Sequence, residues 1–124
     1  MESIGKSQFM ALETFKKNGD GVITPVWVCE INGKMYVWTD ANSWKVKRIR
    51  NREDVRIASS DARGNPKSEW QSARAQVLEN DEWIVRVKKA MIQKYGLQFR
   101  LISLSQWFSR HKSTRVALEI FPRI

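Results

Sequence analysis

The chain has 124 residues, 42% of them hydrophobic, enough for one domain that buries roughly two-thirds of the surface its unfolded chain exposes. No run of about 18 apolar residues occurs and the opening MESIGKSQ carries no apolar core, so neither a membrane span nor a signal peptide is expected and a cytoplasmic protein is. A formal charge of +9 implies attraction to anions: nucleic acid, an anionic membrane surface, or a phosphorylated or carboxylated ligand.

The first strand is read at Phe9 to Lys17 and reverses at Asn18-Gly19-Asp20-Gly21, a cluster suited to a hairpin turn. Val22 to Ile31 returns as a second strand, with Val26 and Val28 on one face and Trp27 and Cys29 on the other. A strand apolar on both faces must be covered on both, one by a barrel interior and the other by a partner surface, so a homodimer is expected. Pro25 has no N–H for a ladder, and the strand must be irregular or an edge there. Cys29 is the one cysteine, can form no internal disulfide, and is read as packing in a reducing compartment.

Asn32-Gly33 is a strong hairpin signal leading into Lys34 to Thr39. Asp40-Ala41-Asn42 breaks that strand, and a basic helix starts at Ser43, in the N-cap position, and runs to Asn51. Asp54 to Ser59 is a fourth strand, Asp61 to Pro66 an exposed loop, and Trp70 to Leu78 a fifth strand with the small residues Ala73 and Ala75 and then Val77 on one face. From Asp81 the period turns helical, placing Ile84, Val87, Met91 and Tyr95 on one face, and Gly96 is suited to end that helix. Leu97, Leu101, Leu104 and Phe108 predict another helix to about Arg110, before a closing strand at Thr114 to Phe121. The result is a mainly β chain of six antiparallel strands, with one helix after the third and two before the last.

The chemistry concentrates where the third strand meets the basic helix. A helix N-terminus leaves backbone amides unpaired, and beside it stand hydroxyls at Thr39 and Ser43 and the ammonium of Lys45, a set that suits a phosphate. Arg48 shares a helix face with Lys45 and is a candidate second contact, whereas Lys47 and Arg50 lie on a neighbouring face; a charge run is otherwise ordinarily a solvated surface. Trp27, Trp38 and Trp44 flank this cradle and could wall a flat ligand, while Trp83 and Trp107 are read as packing. His111, the one histidine, is read as a surface residue, and no metal site is expected. Neither a GxGxxG nor a P-loop pattern occurs, and no carboxylate spacing marks an acid–base pair, so no catalytic residue is assigned.

The segments TPVWV from Thr24 and VWTDANSWKVKRIR from Val37, extended by SSDARGNP from Ser59 and KYGLQFRL from Lys94, resemble the pyridoxamine 5′-phosphate oxidase-like flavin-binding family, most closely its small deazaflavin-dependent branch. The resemblance implies a split barrel with FMN or the deazaflavin coenzyme F-420 as cofactor. It implies Thr39, Ser43 and Lys45 as phosphate ligands and the backbone around Pro25, Val26 and Trp27 as the surface facing the ring. Thr24 stands where the oxidases carry an additional phosphate-binding Arg, a departure from the pattern. The implied activity is transfer of hydride or electrons to an unidentified small-molecule substrate, with neither membrane nor nucleic acid as the expected partner. Two alternatives stand beside it: a basic module for single-stranded nucleic acid, built on the same helix and its aromatics, and a non-catalytic flavin- or haem-binding protein.

Overall fold

The computed structural model describes residues 4–96 and 115–122. After a short 3-10 turn at Ile4–Lys6 come β1 (Phe9–Phe15), β2 (Gly21–Val26), β3 (Cys29–Ile31), β4 (Lys34–Asp40), α1 (Trp44–Asn51), β5 (Asp54–Ser60), β6 (Gln71–Leu78), α2 (Asp81–Tyr95) and β7 (Arg115–Pro122). The strands form one antiparallel sheet in the order β2-β1-β5-β6-β7-β4-β3. The helix predicted for 97–110, with Trp107, and also His111, lie outside the described residues.

The expected strand from Val22 to Ile31 is two strands. β2 pairs with β1 at one edge of the sheet, with Pro25 opposite Ala11, and β3 pairs with β4 at the other, with Cys29 opposite Tyr36. Only Trp27 and Val28 separate them in sequence, so the two edges are neighbours and the sheet must curl into a barrel. The strand count is therefore seven among the described residues, and α1 follows the fourth strand. The break has a physical cause at Val28, whose N–H and C=O are taken by the Tyr95 hydroxyl at 3.1 and 2.9 Å and are lost to any ladder.

Turn chemistry fixes the hairpins. Asn32 and Gly33 both have positive φ, 53° and 80°, as a two-residue type I′ turn requires. The period-2 pattern then sorts the strands. Met10, Leu12, Val26, Val28, Val37 and Leu118 face inward to one apolar cluster, in which Ala73 and Ala75 lie at 1% and 0% exposure, the tight positions expected for them. Val46 and Ile49 of α1, three residues apart on one helix face, enter the same cluster and close it where α1 packs on β1 and β6. Burying each is worth about 1.5–3 kcal/mol.

A second apolar layer lies outside the sheet. Val87, Met91 and Tyr95 of α2 cover Cys29, Tyr36 and Ala117, joined by Trp27, Trp38 and Trp83. The outer face of the Trp27–Cys29 segment is thus covered by this chain's own helix, which removes the reason for expecting a partner surface there. Asn80 caps α2 by accepting from the Glu82 N–H at 2.8 Å, and Gly96 ends it with φ 60°. No described helix is long and apolar enough to cross a membrane.

The C-terminal turn of α2 ties these parts together. Lys94 Nζ donates to the carbonyls of Gly5, Ser7 and Val28 at 2.9, 2.6 and 2.6 Å, and the Tyr95 hydroxyl also reaches the Gln8 carbonyl at 2.7 Å. Tyr95→Phe would leave the buried N–H of Val28 without its acceptor, at a cost of about 1–3 kcal/mol. Urea denaturation of the purified variant should show that loss, and an unchanged midpoint would mean that the break is held elsewhere.

Candidate functional site

Along β4 the inward residues are Met35, Val37 and Thr39, so Thr39 (7% exposed) stands at the end of the barrel interior where the chain turns toward α1. The turn is built by Asp40: its Oδ1 accepts from the Asn42 N–H at 2.8 Å, and its carbonyl accepts from Ser43 N–H at 3.1 Å and Ser43 Oγ at 2.8 Å. Ser43 is the N-cap residue, as expected, but its hydroxyl proton goes back to the turn and no side chain caps the helix amides. The first turn also holds no acidic residue. A helix start of this kind presents unsatisfied N–H groups and the positive end of the helix dipole.

Lys45 adds a charge at the same place. It is half-buried and, among the described residues, makes neither an ion pair nor a hydrogen bond. Burial holds its pKa below the usual lysine value; Asp40 pulls it back up, and Arg48 and Arg115 push it further down. Arg115 comes from β7, opposite Asp40 across the β4–β7 ladder, so no local pattern could have placed it here. A partly desolvated ammonium beside two arginines and a single carboxylate, Asp40, makes no ion pair, and an anion bound at the amides of α1 would supply one. The donor set fits a phosphate, with the Asp40 carboxylate the one opposing charge among Lys45's electrostatic neighbours.

Beside the cradle the ladder is open. Continuing the register that sets Cys29 opposite Tyr36 would bring Val26 opposite Thr39, but β2 has left to pair with β1. Thr24, Pro25 and Val26 therefore belong to an edge strand that pairs with β1 alone among the described strands, with Gly64 lying close to Pro25.

Neither a family model nor a curated protein matches the sequence. Solved structures do match. HutZ, the haem storage protein of Vibrio cholerae, superposes with a TM-score of 0.71 at 13% identity over 98% of this chain and 85% of its own. A proposed pyridoxamine 5′-phosphate oxidase from Listeria innocua gives 0.67 at 12% over 98% and 88%, and an F420 reductase gives 0.63 at 14% over 99% and 93%. The fold is the split barrel of the pyridoxamine 5′-phosphate oxidase-like proteins. At these identities the likeness is one of fold.

On this split barrel the expected site residues fall into groups. Thr39, Ser43 and Lys45 gather at the start of α1, and Thr24 to Val26 lie on the open edge. The Trp27 ring stacks on Tyr95 at 4.3 Å and 10° in the outer layer. Trp38 also sits in that layer, with the Arg115 guanidinium 4.8 Å from its ring centre. Trp44 is 69% exposed on α1. Arg48 donates from Nε to Thr14 Oγ1 at 2.7 Å, which anchors it on β1. Trp83 packs as expected, stacked on Tyr36 at 5.2 Å.

No described cluster of His, Cys, Asp and Glu could hold a metal ion. Burial pushes the Cys29 thiol and the Tyr95 phenol each up to about 12, so both are protonated at neutral pH and neither is a nucleophile or base there.

Lys45 should cost the free protein stability. Its folded pKa lies below the unfolded value of 10.5, so the penalty is complete at pH 7 and is relieved as pH rises from the folded to the unfolded pKa. Lys45→Met is expected to raise the thermal midpoint of the ligand-free protein at pH 7, with the gain shrinking toward pH 10. A lower midpoint at pH 7 would show that the ammonium already has a stabilising partner.

Proposed function

We propose that this chain holds the phosphate of a flavin-type cofactor, FMN or coenzyme F-420, at Thr39, Ser43 and Lys45 and acts as an oxidoreductase on a small-molecule substrate. The observation that carries the proposal is the half-buried Lys45 ammonium, which makes no ion pair among the described residues and has Asp40 as its one opposing charge, beside a helix start that no side chain caps. Support comes from the fold, which is shared with an F420 reductase and a proposed pyridoxamine 5′-phosphate oxidase. When bound, such a cofactor would supply the hydride or electron transfer. The chain's part is to fix the phosphate at the cradle, to offer the open edge of β2 as a surface for the ring, and to exclude water with Val26 and Val37 of the barrel cluster.

Dimerisation belongs to this proposal on narrower ground than an uncovered strand. β2 is an edge strand with Ile23 45% exposed, and unpaired edges of this kind are commonly covered by a second copy. A second reading, binding of a flavin or haem without turnover, is favoured by the likeness to HutZ. Turnover with the cofactor loaded separates the two readings.

Titration of the purified protein with FMN and with F-420 tests the site directly. Lys45→Ala should weaken the preferred cofactor by roughly ten- to a hundredfold, the loss of one charge-assisted contact, while Lys89→Ala on the exposed side of α2 should change it by less than about twofold. Equal dissociation constants for the two variants would remove the cradle.

A further inference from the structure

The cradle uses the start of α1 and the barrel uses Val46 and Ile49; a third face of the helix remains. Trp44, Lys47, Arg48 and Asn51 turn toward the end of β1 and enclose with it a groove of about 760 Å³. Phe15 and Trp44 supply its aromatic surfaces, and Lys16, Lys17 and Arg52 complete its cationic lining, so that five cations and no carboxylate line the groove.

This imbalance is local. Elsewhere Arg50, Arg56 and Arg74 are neutralised by Glu79, Glu13 and Glu53 at 3.2, 2.6 and 2.6 Å. Among the described residues none of the five groove cations makes an ion pair. Lys47 lies 4.5 Å from the centre of the Trp44 ring and Arg52 lies 4.9 Å from that of Phe15, so charge and aromatic surface are interleaved. Mutually repelling cations held together with no counter-charge create a field that favours a polyanion.

We infer that this groove binds a nucleoside di- or triphosphate, with the phosphates among Lys16, Lys17, Lys47 and Arg52 and the base against Trp44. The inference stands apart from the cofactor reading, since Lys45, Ser43 and Thr39 do not line the groove. Two features set the ligand class. A bare inorganic anion would leave an indole that is 69% exposed without a role. A nucleic-acid strand needs more room, because eight residues of α1 span about 12 Å whereas single-strand sites run to about 4–16 nucleotides.

Fluorescence anisotropy with a labelled ATP analogue, with ADP, tripolyphosphate, FMN and an eight-nucleotide oligothymidylate as competitors, tests the inference on the full chain. ATP and ADP are expected to compete, tripolyphosphate at least tenfold more weakly, and FMN not at all. The Lys16→Ala/Lys17→Ala double variant, altered only at exposed hairpin positions, should lose at least tenfold in nucleotide affinity and keep the parent affinity for FMN. Trp44→Ala should weaken ATP but leave tripolyphosphate unchanged. Absence of binding, equal competition by tripolyphosphate, tighter competition by the oligonucleotide, or displacement by FMN would each overturn the site as a nucleotide groove. Loss of FMN binding in Lys45→Ala with nucleotide binding intact would keep the two sites distinct; loss of FMN binding together with nucleotide binding in the double variant would merge them and overturn the inference.

Discussion

The Tyr95 hydroxyl at Val28 is the constraint on which the rest of this structure depends. A strand that continued through Trp27 and Val28 would offer its backbone to one neighbour throughout. Val28 instead gives its N–H to Tyr95 and its carbonyl to both Tyr95 and Lys94, so β2 and β3 can belong to opposite edges of one sheet. Closure of the barrel and the opening of its ladder are therefore one event. The open edge beside Thr39 exists because β2 has been drawn away to β1, and the helix that holds the bend also seals the outer face with Trp27 and Cys29. A lysine donating to three carbonyls puts a net charge into this knot, and those dipoles are what make its partial desolvation tolerable.

Charge is distributed with similar economy. The carboxylates Glu13, Glu53 and Glu79 are taken up by arginines at the sheet surface, which confines the chain's excess of positive charge to fewer places. Two of those places are on or beside α1, and Lys45 is suppressed in part by its neighbours Arg48 and Arg115. On the proposed function, such an arrangement would lower the stability of the empty protein and favour anions there, the trade expected where a site is held ready for a ligand.

Much of the fold was legible because its signals are local. Asn32-Gly33 could only be a tight hairpin, the alternation of Ala73, Ala75 and Val77 named the interior face, and the spacing of Val87, Met91 and Tyr95 named the packed face of α2. The break at Trp27 was not legible, since the apolar run from Val26 to Cys29 reads as one strand; Pro25 was a sign of irregularity, but the partner that fixes the bend lies 67 residues away. For the same reason the sequence points to a second copy as the outer cover of that strand, where the structure places α2. At the site, Thr39, Ser43 and Lys45 lie within one turn and could be read together. Arg115 and the Thr14 anchor of Arg48 arrive through long-range strand pairing and packing, and sequence spacing carries no trace of them. Lys16 and Lys17 look like ordinary hairpin charges until α1 is placed beside them.

An eight-residue helix rarely forms by itself in water, so α1 must be held by its packing, and this explains how it can carry a run of charged residues. Val46 and Ile49 anchor it in the barrel at 0% and 1% exposure, and Arg48 tethers it to β1. With the inner face fixed, its N-terminal turn and its outer face are free to be chosen for ligands. Substitutions at Lys45 or Trp44 should then alter binding without unfolding the helix, whereas a cavity at Ile49 would loosen cradle and groove together, because both are positioned by the same two buried side chains.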